Sequence, residues 1–161
     1  ESGSIEGQVL QIFADAYTPV VDSSAIPTGE IASVEGTPMD FRTEKQIGQD
    51  IRADFEQLHF TGGYDHNYVL GRPGEKKIMA NAYCRESGIA LEAETDCCGV
   101  QFYAGNFITL QKGKDGVSYG NRQALCLEMQ YFPDSIHHPE FPQPVFDAGQ
   151  HYHASAIYKF R

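Results

Sequence analysis

Ala124-Leu125-Cys126-Leu127-Glu128-Met129-Gln130 runs into Tyr131-Phe132-Pro133-Asp134, and the fold turns on how this stretch is read. It predicts a strand that enters a proline-rich loop. Side chains on a strand alternate between two faces. Leu125, Leu127 and Met129 then share one face, which must be packed, while Cys126, Glu128 and Gln130 share the other. A glutamate flanked by apolar residues is unusual in the middle of a strand. Burial raises a carboxylate pKa, and a raised pKa suits a general base that works near neutral pH. The plainer reading is a face open to water, and these residues alone favour it.

Outward from this strand, short β-rich segments between turn signals recur along the chain. Residues 8–14 read as a strand. Residues 26–34 read as a turn and a short strand, and residues 36–41 as another extended piece, since proline biases itself and its predecessor to extended backbone. Residues 43–54 are the one place for a short helix, with Ile47 and Ile51 four apart on one face. The glycine pair at 62–63 delivers Asp65, His66 and Asn67 at the mouth of a strand that begins near Tyr68. Residues 76–84 and 89–95 form a hairpin around residues 85–88. Residues 100–106 form a strand ending in a Gly-Asn turn, with Gln101 and Tyr103 on one face, and residues 107–111 continue it. Residues 112–116 form a solvated turn. An extended loop covers residues 137–144, and residues 152–160 alternate as a last strand. This pattern predicts an all-β sandwich or barrel in one structural unit.

Composition bounds the partners. The chain has 161 residues, enough for one domain with a core. It is 41% hydrophobic and 21% charged, which is globular rather than disordered. With 22 acidic against 12 basic residues the net charge is -10, which argues against nucleic acid and anionic membranes as partners. No run approaches a transmembrane helix, and no signal peptide is visible. Cys84, Cys97, Cys98 and Cys126 have no framework spacing, so reduced thiols in a cytoplasmic protein are expected.

Asp65, Gln101 and Glu128 lie in segments rich in aromatics. Two carboxylates and an amide can hold several hydroxyls, as sugar sites do, with Tyr64, Tyr68, Phe102 and Tyr103 as apolar walls. Each residue also has an ordinary role. Asp-His-Asn is a common turn sequence, and a lone glutamine or glutamate on a strand is usually exposed. His151 and His153 are spaced to chelate zinc, yet spacing specifies no third ligand, so no metal site is expected. Nothing basic beside Cys97 and Cys98 lowers a thiol pKa. Phosphate cradles and dinucleotide fingerprints are absent from the sequence.

Longer motifs carry a resemblance. Gly62-Gly63-Tyr64-Asp65-His66-Asn67 resembles the G-G-x-D-H-N segment of the aldose 1-epimerases, the galactose mutarotases. Gly99-Val100-Gln101-Phe102-Tyr103-Ala104-Gly105-Asn106 is similar to their G-V-Q-F-Y-x-G-N segment. Cys126-Leu127-Glu128-Met129-Gln130, with Pro133-Asp134 and then Pro139, Phe141 and Pro142, resembles C-L-E-x-Q-x-x-P-D…P-x-F-P. The segment at 26–31 and the closing Gly149, Tyr152 and His153 match as well, so the resemblance runs almost the length of the chain in the family's order.

The resemblance implies a galactose mutarotase-like β-supersandwich, antiparallel and all-β. It implies interconversion of the α and β anomers of free hexoses such as galactose and glucose. A base takes the proton of the anomeric hydroxyl, an acid protonates the ring oxygen, and the opened ring closes on the other face. Glu128 matches the base, and Asp65 and Gln101 match residues that bind sugar hydroxyls. The reaction needs no metal and no cofactor.

There are departures from the family pattern. Family members are about twice as long, and their acid is a histidine in an H-x-Y-x-N segment just upstream of the part matched here. The expectation is that residues 1–161 form the C-terminal half of one domain and work with a companion N-terminal fragment or chain that carries the acid. Met129 stands where Thr is more usual, and Gln150 where Glu is common. The alternatives are a non-catalytic sugar-binding β-sandwich and a hexose-6-phosphate 1-epimerase of the same fold. The second needs a basic phosphate pocket, which 12 Lys and Arg residues make harder to build.

Overall fold

Strands with one apolar face need a second layer to cover it, and this chain supplies that layer itself. The computed structural model describes residues 3–161. The strands are β1 (Val9–Ile12), β2 (Ala16–Tyr17), β3 (Ala32–Ser33), β4 (Lys45–Gln46), β5 (Asp65–Val69), β6 (Lys77–Tyr83), β7 (Ala90–Thr95), β8 (Gly99–Tyr103), β9 (Gln111–Lys112), β10 (Ser118–Tyr119), β11 (Cys126–Gln130) and β12 (Ala156–Phe160). One sheet has the order β12-β7-β6-β1-β4 and the other β11-β8-β5-β2-β3, while β9 and β10 form a separate hairpin. Every strand pair is antiparallel.

The core lies between the two five-stranded sheets. Leu10, Ile12, Met79, Ala80 and Ala93 come from the first sheet, and Tyr17, Tyr68, Val100, Phe102 and Leu127 from the second. Leu125 and Met129 pack against the same core, so the apolar face of β11 is covered as its alternation requires. Phe41, Tyr64 and Phe102 form a cluster of rings 5.0–5.5 Å apart. Such pairs add to the burial of apolar surface itself.

Several local expectations are corrected. Residues 36–41 are turns, with Thr37 N–H donating to Val34 and Asp40 N–H to Thr37. Residues 43–54 hold no α-helix. Ile47 and Ile51 are both buried, but they stand in a 3-10 turn (Ile47–Gln49) and the loop after it. The α-helix, α1, is Glu56–Thr61. Gly62 ends it at φ 64°, a left-handed position that favours glycine, and its N–H caps Leu58. Residues 107–110 leave the strand in turns and irregular chain before Gln111 enters β9, and the last strand starts at Ala156 rather than at 152. The strand after the glycine pair begins at Asp65 rather than near Tyr68. That shift changes which side chains share a face. No helix among the described residues is long and apolar enough to cross a membrane.

Candidate active site

Three neighbouring strands, β11, β8 and β5, carry the polar residues. Glu128 lies opposite Gln101, and Gln101 lies opposite Asn67. Tyr103 lies opposite both Asp65 and Cys126. Alternation therefore puts Asp65, Asn67, Gln101, Tyr103, Cys126, Glu128 and Gln130 on one face of the second sheet. The opposite face, with His66, Tyr68, Val100, Phe102 and Leu127, is the core. Adjacent strands are about 4.8 Å apart, so three strands spread their groups over roughly 10 Å.

The face is wired by amides. Gln101 Nε2 donates to Asp65 Oδ1 at 2.7 Å. Gln130 Nε2 donates to Gln101 Oε1 at 3.0 Å and to Asn67 Oδ1 at 3.1 Å. Asp65, Gln101 and Gln130 are half-buried, and Asn67 is only 2% exposed. Burial pushes the Asp65 carboxyl above its ordinary value, partly offset by the hydrogen bond from Gln101. Gly99 makes room for Asn67, because a Cβ on Gly99 would stand 2.3 Å from Asn67 Oδ1.

Glu128 is exposed, as is Cys126 beside it, so the plainer reading of this face describes that end of it. A groove of about 370 Å³ runs along the outer edge of β11, between Glu128, Cys126 and Leu125 and the side chains of Tyr158 and Phe160 on β12. Tyr158 donates its hydroxyl to the Leu127 carbonyl at 2.6 Å, which ties this edge to the other sheet. Burial raises the Tyr158 phenol, and the charges of Glu128 and Cys126 raise it further. On the far side of Tyr103 lies a cleft of about 530 Å³ lined by Phe107, Ile108 and Tyr119.

The structure thus joins Asp65 and Gln101 by a hydrogen bond and sets Glu128 in register with Gln101. Of the expected apolar walls, only Tyr103 stands on this face. Tyr64, Tyr68 and Phe102 are fully buried on the core side, where the two tyrosine hydroxyls donate to the Pro38 and Met39 carbonyls. His66 is the sole histidine on the three strands, and it faces the core. His151 and His153 are exposed in irregular chain before β12 rather than on a strand, and His153 Nδ1 lies 3.4 Å from Asp96. Among the described residues, no group of three or more His, Cys, Asp or Glu is arranged to hold a metal. Cys97 and Cys98 are buried, and burial pushes the Cys98 thiol up to about 11.

Sequence reasoning put Gln130 on the face of Glu128 and named Asn67 beside Asp65, but gave neither a part in the site. Each lies two residues from a named candidate, Asp65 and Glu128, and the period of two was the signal. Starting the strand near Tyr68 hid it for Asn67.

Chemically, the face offers a water-accessible carboxylate, Glu128, able to accept a proton, beside an acceptor and donor pair, Asp65 and Gln101, able to bind hydroxyls. The family model for aldose 1-epimerase matches residues 1–159. The chain is 42% identical to a galactose mutarotase of Mus musculus, covering 99% of this chain and 45% of that protein. It is 36% identical to an aldose 1-epimerase of Escherichia coli, covering 99% of this chain and 46% of that one. The crystal structure of an aldose epimerase homologue from C. elegans superposes with a TM-score of 0.85 at 27% identity, covering 99% of this chain and 47% of that one. The chain therefore spans about half the length of these relatives.

Proposed function

The chain belongs to the aldose 1-epimerase family, and from that premise we propose that it supplies the base and part of the sugar pocket of an enzyme that interconverts the anomers of free hexoses. The observation that carries the proposal is the face shared by Glu128, Gln101 and Asp65. Glu128 takes the proton of the anomeric hydroxyl. Asp65 accepts a hydrogen bond from a ring hydroxyl, and Gln101 donates one. The ring oxygen needs a proton as C1–O5 breaks, and in this proposal a histidine from the part of the family's fold outside this chain delivers it. Loss of the O5 bond gives the open aldehyde. Rotation about C1–C2 and the reverse proton transfers give the other anomer. General acid and base catalysis are each worth about 10²–10⁴-fold.

Galactose and glucose are the proposed substrates. A sugar phosphate is disfavoured because Asp65 and Glu128 dominate the charge of this face, with no Lys or Arg on the site face of the three strands. Polarimetry on freshly dissolved α-D-galactose and α-D-glucose tests the proposal. The protein should speed the approach to the equilibrium rotation of both and leave methyl α-D-galactoside, which has no free anomeric hydroxyl, unchanged. If binding of galactose is measurable but mutarotation stays at the buffer rate in the protein as isolated from its source, the chain serves a sugar-binding module instead. If only hexose 6-phosphates respond, the substrate assignment is wrong.

A further inference from the structure

The two ends of a glutamine amide have almost the same shape and opposite hydrogen-bonding character. Whether Gln101 offers a sugar its N–H or its oxygen depends on what holds the amide. On the Asp65 side, Oδ1 accepts from Gln101 Nε2 at 2.7 Å. On the other side, Gln101 Oε1 accepts from Gln130 Nε2 at 3.0 Å, and the same nitrogen donates to Asn67 Oδ1 at 3.1 Å. Turning Gln101 over would set its oxygen against the Asp65 carboxylate and its N–H₂ against that of Gln130. Turning Gln130 over would set its oxygen against two other oxygens. The carboxylate at one end therefore orders the whole ladder, Asp65 to Gln101 to Gln130 to Asn67. The order leaves a residue at the far end, where Asn67 Nδ2 is buried without a hydrogen-bond partner.

We propose that Gln130 and Asn67 are positioning residues that lock the direction of the Gln101 amide and so decide which hydroxyls the Asp65–Gln101 pair accepts. The proposal rests on the reading of Asp65 and Gln101 as sugar-binding residues. With the ladder in place, Asp65 Oδ2 is an acceptor and the second N–H of Gln101 a donor, side by side. That pair matches two neighbouring hydroxyls of an aldose, one donating to Asp65 and one accepting from Gln101. Asn67 accepts from Gln130, and it fits where it does because Gly99 carries no side chain there. Both ladder residues act through Gln101 and neither needs to touch the sugar.

A double-mutant cycle on kcat/KM in the active protein tests this, with galactose and its monodeoxy analogues as substrates. Gln130→Met keeps the length and removes the amide. It should lower kcat/KM for galactose about tenfold, the worth of one hydrogen bond, with the loss mainly in KM. The deoxy analogue that wild type discriminates against through Gln101 should lose most of its disadvantage, while the other analogues keep theirs. Gln101→Met should do the same, and Gln101→Met/Gln130→Met should be no worse than Gln101→Met alone. Gln130→Glu, which keeps the shape and cannot donate, should fail to rescue. Asn67→Ala reads the same ladder from its far end if Gln130→Met does not fold. Additive losses, equal for every sugar, would mean that Gln130 is only structural and would overturn the proposal. Unchanged kinetics in Gln101→Met would instead remove the sugar-site reading, and the proposal with it.

Discussion

At the scale of single residues, His66 shows what its place on the core face costs. It is fully buried, its Nδ1 accepts the Asp65 backbone N–H, and its Nε2 has no partner. Burial lowers its pKa from 6.5 to about 4, so the folded protein holds the ring neutral. The unfolded chain takes up this proton first as pH falls. The stability that His66 contributes is therefore complete above pH 6.5 and is lost as pH drops from there toward about 4. The loss is roughly 3 kcal/mol. Asp65 works in the opposite sense, since its raised pKa favours the folded state on protonation. Comparison with His66→Phe, which removes one titration and keeps Asp65, separates the two. Urea unfolding at pH 7 and pH 4 should show wild type losing about 3 kcal/mol more than the variant. Equal losses would show that the ring is not held neutral by the fold. Neither the cost nor the sign was legible in Asp-His-Asn, because a turn sequence and a strand with one buried face share the same three letters.

At the scale of elements, strands were legible and the helix was not. The strand of β11, the β6–β7 hairpin and β8 follow from alternation, which burial on one face enforces. Ile47 and Ile51 are spaced like a helix, but each is buried from a 3-10 turn and a loop. Six-residue α1 begins after Phe55, which makes no side-chain cap, so no start signal precedes it. Its stop signal, Gly62, was read as part of the turn into the next strand. The cross-strand ladder lies beyond local sequence because Gln130 meets Asn67 only through register, 63 positions apart. The register has a steric keystone in Gly99, whose Cβ position is 2.3 Å from Asn67 Oδ1 and 3.1 Å from Phe132 Cδ1. Gly99→Ala should therefore displace Asn67, destabilise the fold by about 1–3 kcal/mol, and lower kcat/KM in the direction of Asn67→Ala. Thermal unfolding and steady-state kinetics check both effects. A variant with wild-type stability and kinetics would mean that Asn67 can move freely and the ladder is loose.

At the scale of the whole molecule, β11 and β12 are edge strands of the two sheets, and the groove beside Glu128 opens on that side. An open edge presents unpaired backbone groups that another segment can satisfy. The chain also spans 45% of the mouse galactose mutarotase. We propose that further polypeptide of the family's fold completes the protein and brings the acid. Residues 1–161 produced alone should then bind aldose weakly and catalyse mutarotation at least about 10²-fold more slowly than the completed protein, the worth of one acid. Full activity from these residues alone would put the acid among them. The family and its all-β fold were legible in ordered motifs, whereas the exposure of Glu128 was not, because alternation gives the face of a side chain and not what covers that face. The most direct test of the central claim is the rate of α-D-galactose mutarotation in the active protein with Glu128→Gln. The substitution preserves shape and removes basicity. With Glu128 as the base, kcat should fall by about two to four orders of magnitude with galactose still bound, and a rate within about threefold of wild type, too small a change for loss of the base, would contradict that role.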